Sequence, residues 1–158
     1  MSVMRSTTLT RCALGALILF AVLAGGVLPA FAQSTDEAGV RAAIEQYFKG
    51  HATGDGETMR AAFLPTAHIE GMRRGTFTSW TVDEYVGNFR GRPADDEASR
   101  RRTIDSIDIS GRAAMAKATL VHGATTFTDY FVLLKVDGVW KIANKVYSTA
   151  PTAGAGRH

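Results

Sequence analysis

Two polar side chains, Asp129 and Asn144, interrupt the longest apolar stretch near the end of the chain, Thr125 to Tyr147 (TTFTDYFVLLKVDGVWKIANKVY). Burying an unpaired carboxylate costs several kcal/mol or drives its pKa upward, so an inward-facing Asp129 needs a partner or a use. Two uses are open to it. It can act as a general base, or as a neutral acid donating a hydrogen bond to a carbonyl. The structural alternative is an acceptor for a backbone amide, for Asn144 or for a tyrosine. Tyr47 and His68 are the side chains expected to complete an acid–base set, because a phenol and an imidazole both donate protons and the imidazole titrates near neutrality.

Which way Asp129 and Asn144 point depends on strand register. Asp137-Gly138 supplies the positive φ values of a two-residue hairpin turn. From that turn Phe131 faces Asn144, Leu133 faces Ile142, Lys135 faces Trp140 and Asp129 faces Val146. Opposed residues share one sheet face. The interior face then reads Asp129, Phe131, Leu133, Ile142, Asn144 and Val146, with Trp140 near the turn. The outer face reads Tyr130, Val132, Leu134, Ala143, Lys145 and Tyr147. If Gly123-Ala124 is the preceding turn, Ala118 lies opposite Asp129, and its short side chain leaves space beside the carboxyl.

The remaining elements follow from periodicity. Asp36 to Lys49 reads as a helix with Val40, Ala43, Ile44, Tyr47 and His51 on one face. A short helix runs from Asp55 or Gly56 through Phe63 and stops before Pro65. Ala67 to Met72 and Thr76 to Trp80 read as strands around an Arg73-Arg74-Gly75 turn. Thr81-Val82-Asp83-Glu84 is a capping box opening a third helix that should reach about Phe89. Thr103 to Ile109 and Arg112 to His122 are further strands, the second rich in alanine. This order is an α+β plan: three N-terminal helices packed on a curved antiparallel sheet, leaving a cone with an open mouth where a small ligand fits.

The chain has 158 residues, net charge +3 and one cysteine, Cys12. Residues 1–32 have the three parts of a secretory signal: Arg5 and Arg11, an apolar run from Cys12 to Leu28, and Pro29-Ala30-Phe31-Ala32 with an A-x-A pattern. Cleavage is expected between Ala32 and Gln33, giving an exported, periplasmic or secreted product with no membrane attachment. The alternative, a retained anchor, has a short glycine-interrupted run for a span of ~20 residues. The expected organisation is signal 1–32, one domain 33–149 and a disordered tail 150–158. Loss of Arg5 and Arg11 lowers the net charge to +1. Without Cys12 the domain has no disulfide, and thiol nucleophiles and Cys-ligated metal clusters are excluded.

Arg90 to Arg102 is the most charged segment. It reads either as an anion or partner site or as a solvated loop with self-compensating charge. No continuous basic face supports nucleic-acid binding. His51, His68, His122 and His158 lack the close spacing of a metal site, and no cofactor motif is present. His122 is expected at a solvated turn and His51 at a helix C-terminus, where a cation suits the dipole. Trp80, Tyr85, Phe89 and Phe127, with Phe131 and Asn144, are the expected lining of a ligand pocket. The same aromatics also suit plain core.

The order of elements and the residues themselves resemble the nuclear transport factor 2-like (SnoaL-like, cystatin-like roll) superfamily, and within it the putative lumazine-binding family. The segments that carry the resemblance are YFKGHATGDGETMRAAF (Tyr47 to Phe63), Pro65 and Ala67, WTVDEYV (Trp80 to Val86) and FTDYFVLLKVDGVWKIANKVY. Family members often carry F-H-P-D-A where this chain has Phe63-Leu64-Pro65-Thr66-Ala67, so a His and an Asp are missing here. The resemblance implies a cone-shaped sheet, a small hydrophobic or aromatic ligand, no cofactor, and a homodimer through the outer sheet face, where Tyr130 and Lys145 would be opposed. Ketosteroid isomerase, which shares this fold, pairs an Asp base with a Tyr and a protonated Asp. Three functions stay open: ligand binding without catalysis, an isomerase, dehydratase or cyclase using Asp129 with Tyr47 or His68, and a structural dimer with a filled cone.

Overall fold

A computed structural model describes residues 28–73 and 75–153, with side chains from Thr35 onward. Helix α1 spans Leu28–Thr53 and buries Val40, Ala43, Ile44 and Tyr47 along one stripe. It begins before the expected Asp36 because nothing between Pro29 and Gly50 breaks it, and a proline is tolerated in a first turn. It therefore runs through the expected cleavage position, while residues 1–27 of the expected signal lie outside the described residues. Helix α2 spans Gly56–Arg60, capped by Asp55, whose Oδ1 accepts from the Glu57 amide at 3.0 Å. It stops short of Phe63 because the chain turns there to meet a strand: Leu64 N donates to Ile142 O and Ile142 N to Ala62 O, each at 2.9 Å.

Strands β1 (His68–Arg73) and β2 (Thr76–Thr81) follow, then α3 (Val82–Val86). The capping box is formed: the Glu84 amide donates to Thr81 Oγ1 at 3.3 Å and the Thr81 amide to Glu84 Oε2 at 2.8 Å. The helix ends at Val86, capped by Gly87, rather than near Phe89, and a turn carries the chain on to Phe89. After a single 3-10 turn, Glu97–Ser99, come β3 (Arg101–Ser110), β4 (Ala113–His122), β5 (Thr125–Val136) and β6 (Val139–Pro151).

The six strands lie in the order β2-β1-β6-β5-β4-β3. β3 to β6 form the expected antiparallel meander, but β1 pairs with β6 in parallel, through Ile69↔Lys145 to Gly71↔Tyr147. The sheet is thus mixed, because β1, antiparallel to β2 on one side, lies beside the last strand on the other. Helix α1 touches both β3 and β6, so it lies across the concave face of the curved sheet. Beneath it sit Ala114, Ala116, Ala118, Phe131, Leu133, Trp140 and Ile142, all buried. Asp36 ties the start of α1's buried stripe to the far hairpin end, accepting from Trp140 Nε1 at 3.1 Å and from Lys135 Nζ.

The turn is as expected, with φ of 50° at Asp137 and 82° at Gly138. The expected register holds from Val136↔Val139 to Leu133↔Ile142 and then slips by one: Val132 faces Asn144, Phe131 faces Lys145 and Asp129 faces Tyr147. Ala143 is the extra residue of a β-bulge, which moves every later side chain of β6 to the opposite face. Two consequences correct the sequence-based assignment. Asn144 and Val146 turn away from the interior, and Lys145 and Tyr147 turn into it. The end of β6 also reaches beyond the expected tail boundary. Pro151 pairs with Thr125, and the Thr152 amide donates to Ala124 O at 2.9 Å.

Candidate ligand cavity

The bulge brings Lys145 to Asp129, the one buried carboxylate among the described residues. Asp129 is fully buried and Lys145 is 4% exposed. Lys145 Nζ donates to Asp129 Oδ2 at 2.8 Å and to Tyr47 OH at 2.7 Å, and the Tyr47 hydroxyl donates to the same Oδ2 at 2.7 Å. The three polar tips come from α1, β5 and β6, and they close a triangle around one another. The Lys145 ammonium also lies 4.9 Å from the ring centroid of Tyr47, 5.0 Å from that of Tyr147 and 5.8 Å from that of Tyr85, within cation–π range of all three. Asp129 has its partner, but its second oxygen, Oδ1, is buried without a hydrogen bond among the described residues.

This triangle borders a cavity of about 150 Å³. Tyr47, Tyr85, Trp80, Phe127 and Tyr147 supply aromatic surface, Leu120 an apolar patch, and His51, His122, Asp129, Lys145 and Arg73 the polar groups. Trp80 and Tyr147 are parallel within 3°, at 6.4 Å between centroids. Gly71 allows that arrangement: a Cβ there would come within 2.6 Å of Tyr147 Cε1. Thr78 Oγ1 and Tyr147 OH lie 2.8 Å apart and pin the phenol end of the ring.

Burial sets the protonation states. Desolvation, reinforced by the Asp129 charge, holds the Tyr47 phenol well above its ordinary pKa, so it stays a donor at neutral pH. Tyr85 is raised for the same two reasons. Desolvation and the nearby Lys145 ammonium push His51 well below 6.5. His122 falls to about 4, through desolvation and then Arg100 and Arg102. Both imidazoles are therefore neutral at pH 7. Tyr85 OH and His51 Nε2 are 3.0 Å apart, and His122 Nε2 is buried without a partner among the described residues. Lys145 is lowered by desolvation, with Asp129 opposing.

Of the expected site residues, the structure brings Tyr47, Asp129, Trp80, Tyr85 and Phe127 to the cavity. Phe131 lies beneath it in the core, with its ring 5.1 Å from that of Tyr47. Phe89 borders a neighbouring outer groove that also includes His51, Arg92 and Arg100. His68 is exposed and does not border the cavity, because β1 points its first side chain outward. Asn144 is on the outer surface, where its Oδ1 accepts from the His68 amide at 2.8 Å and so fastens β1 to β6. His122, expected in solvent, lines the cavity half-buried, since β4 runs on to the turn at Gly123. Ala114, Ala116 and Ala118 of β4 pack as core while Ala113 is exposed, and the opening lies beyond Ala118, at Leu120 and His122.

Sequence reasoning missed Lys145, Tyr147, His51, His122, Leu120 and Arg73. One signal was available for Lys145: a buried Asp129 needs a partner, and Lys145 lies close to it on the other arm of the hairpin. Among the described residues no group of three or more His, Cys, Asp or Glu is placed to hold a metal ion. No described helix is long and apolar enough to cross a membrane.

A model of the family described as "Putative lumazine-binding" matches residues 35–148. Among solved structures, the chain is similar to a nuclear transport factor 2-like protein of unknown function from Methylobacillus flagellatus KT. The two are 31% identical over 73% of this chain and 93% of that one, with a TM-score of 0.65. A second such protein, from Shewanella baltica OS155, is 28% identical over 75% of this chain and 97% of its own, also at 0.65. A third, from Silicibacter pomeroyi DSS-3, shares the fold at a TM-score of 0.68, with 23% identity over 75% of this chain and 98% of its own. A comparison with curated proteins finds no match.

Proposed function

The chain belongs to the family described as "Putative lumazine-binding", of nuclear transport factor 2-like fold, and from that premise we propose that its cavity holds a flat one- or two-ring heterocycle with a lactam edge, of which lumazine is the type. A lactam edge presents a carbonyl acceptor beside an N–H donor. The observation that carries the reading is the pairing of an ammonium donor, Lys145, with a carboxylate oxygen, Asp129 Oδ1, that has no partner among the described residues, on one aromatic-walled cavity. The volume of about 150 Å³ is below the ~300 Å³ where pockets for drug-sized ligands begin, which favours a small ring system. Trp80 and Tyr147 supply the stacking surface.

The test is a titration of lumazine followed by tryptophan fluorescence, together with mass spectrometry of small molecules retained by native protein. Saturable quenching that Asp129→Asn weakens supports the reading. No saturable quenching by lumazine or by other pteridines and pyrimidinediones, with nothing retained, overturns it.

A second reading is an isomerase, dehydratase or cyclase. It is favoured by the 2.7 Å bond from the Tyr47 hydroxyl to Asp129, a donor set beside a carboxylate with one oxygen still free to accept a proton. His68 takes no part in it. Isotope exchange from water into carbon-bound positions of a retained ligand would distinguish it from simple binding.

The outer face of the sheet exposes Met115, Tyr130, Val132, Leu134 and Val146, and its proposed occupant is a second copy of the chain. Exposed apolar side chains that neighbour one another across β4, β5 and β6 support this reading. Export with cleavage after Ala32 is likewise proposed, on the arginine-flanked apolar run and the A-x-A pattern. N-terminal sequencing of the protein after expression with its leader should read Gln33.

A further inference from the structure

The geometry points to Lys145 as an imine-forming lysine: its Nζ condenses with the carbonyl carbon of a small conjugated aldehyde or ketone bound in the cavity. This rests on the reading of the cavity as a ligand site. It goes further by making one contact covalent.

Four observations carry it. Lys145 is a primary amine that lines the cavity while remaining almost wholly shielded from bulk water. Its three donor positions are spent on two protein acceptors, Asp129 Oδ2 and Tyr47 OH, so one direction stays open to a ligand. The groups around it suit a cation of any shape: a carboxylate at 2.8 Å and the faces of three tyrosines within 5.8 Å. A protonated imine keeps the charge of the ammonium, so the surroundings that hold one hold the other. The remaining aromatic walls, Trp80 and Phe127, accept a flat conjugated substituent on the carbonyl carbon.

The step balances without an added reagent. The Lys145 ammonium passes a proton to Asp129 Oδ2, and the free amine lone pair forms the C–N bond as the carbonyl π electrons move to oxygen. That oxygen takes a proton from the Tyr47 hydroxyl, which is refilled from the nitrogen. The carbinolamine hydroxyl then takes the proton held on Asp129 and leaves as water, giving a C=N bond with one hydrogen on nitrogen. Ammonium plus carbonyl becomes protonated imine plus water, with no net proton exchanged with solvent. Asp129 ends as it began, a carboxylate opposite a cation.

The experiment uses trans-cinnamaldehyde as probe, with cyanoborohydride to reduce the imine to a stable secondary amine, followed by peptide mapping. The lysines are Lys49, Lys117, Lys135, Lys141 and Lys145, and Cys12 is the single thiol, in the leader. At pH 7 and limiting aldehyde, Lys145 is expected to label on the order of 10-fold faster than the other four, as a desolvated lysine should. Lys145→Arg, which keeps the charge, should remove that label and leave the others. A red-shifted absorbance before reduction is the second readout. Labelling spread over the other lysines with Lys145 unmodified overturns the inference. Lumazine titrated in parallel separates the two ideas. Lumazine binding without a Lys145 adduct sinks the imine alone, and a Lys145 adduct that lumazine neither competes with nor protects sinks the heterocycle reading and upholds the imine.

Discussion

Lys145 Nζ and Asp129 Oδ2 lie 2.8 Å apart inside the protein, although strict alternation from the hairpin turn would send Lys145 to the opposite face of the sheet from Asp129. The extra residue Ala143 makes the contact possible. Breaking a buried pair from one side leaves an uncompensated charge, which costs more than the pair itself contributes. Lys145→Met is therefore expected to lower unfolding free energy by about 3–5 kcal/mol. Adding Asp129→Leu to it should restore most of that loss. Urea unfolding of the two variants checks the pair, and a loss below about 1 kcal/mol for Lys145→Met would count against a desolvated carboxylate.

Tyr47 both accepts from Lys145 and donates to Asp129. Tyr47→Phe keeps the ring, with its contact to Phe131, and deletes the hydroxyl. The expected cost is about 1–3 kcal/mol, because two buried groups lose a partner at once. Thermal unfolding measures it. The same variant should slow any proton transfer at Asp129 more than it weakens stacking of a ring against Trp80.

The two neutral histidines predict an acid-side weakness. An unfolded histidine titrates near 6.5, whereas His122 in the fold is held to about 4 and His51 well below 6.5. Between those values the unfolded chain binds more protons, so stability falls as pH drops from about 6.5 toward 4. The carboxylates held low by partners, Asp36, Asp96 and Glu97 among them, contribute their own loss only at more acid pH, as pH falls below their ordinary pKa values toward their lowered ones. Urea midpoints at pH 7.5, 6.5, 5.5 and 4.5 should show the decline, and His122→Gln should make it shallower.

Gly71 is a strand glycine whose missing side chain makes room for the Tyr147 ring. Gly71→Ala is expected to push that ring off its parallel position against Trp80, at an overpacking cost of about 1–3 kcal/mol. Altered Trp80 emission and weaker quenching by lumazine would register the displacement. Unchanged emission would mean that β1 moves instead.

Tyr130 and Val132 stand at the centre of the exposed apolar face of β5. Val132→Glu should convert a dimer to a monomer in sedimentation velocity while leaving the far-UV circular dichroism unchanged. A wild-type protein that sediments as a monomer at high concentration would remove the proposed second copy.

Much of this molecule could be read before any coordinates. Helix α1 announced its inner stripe, Val40, Ala43, Ile44 and Tyr47, by spacing alone, because a 3.6-residue period leaves one face to bury. The capping box at Thr81–Glu84 and the turn at Asp137-Gly138 are local devices, set by side-chain oxygens and positive φ, and both stand as expected. The pairing of Ala118 with Asp129 followed from a second turn and also holds. So did the idea that Asp129 is buried with Tyr47 close by.

What the chain alone determined was thus everything carried by local geometry and by periodicity: the elements, the meander and the buried carboxylate. What only the tertiary structure decided was the set of side chains that meets that carboxylate. Past the bulge, Asn144, Lys145, Val146 and Tyr147 place one polar and one apolar residue on each face, so hydrophobic patterning cannot choose between the two registers. The choice comes from distant contacts. Ile142 is held by Ala62 and Leu64, β1 pairs in parallel with residues 145–147, and the ammonium of Lys145 reaches the carboxylate of Asp129 and the hydroxyl of Tyr47. Burial of Asp129 needs a cation, and the strand takes up an extra residue to supply it.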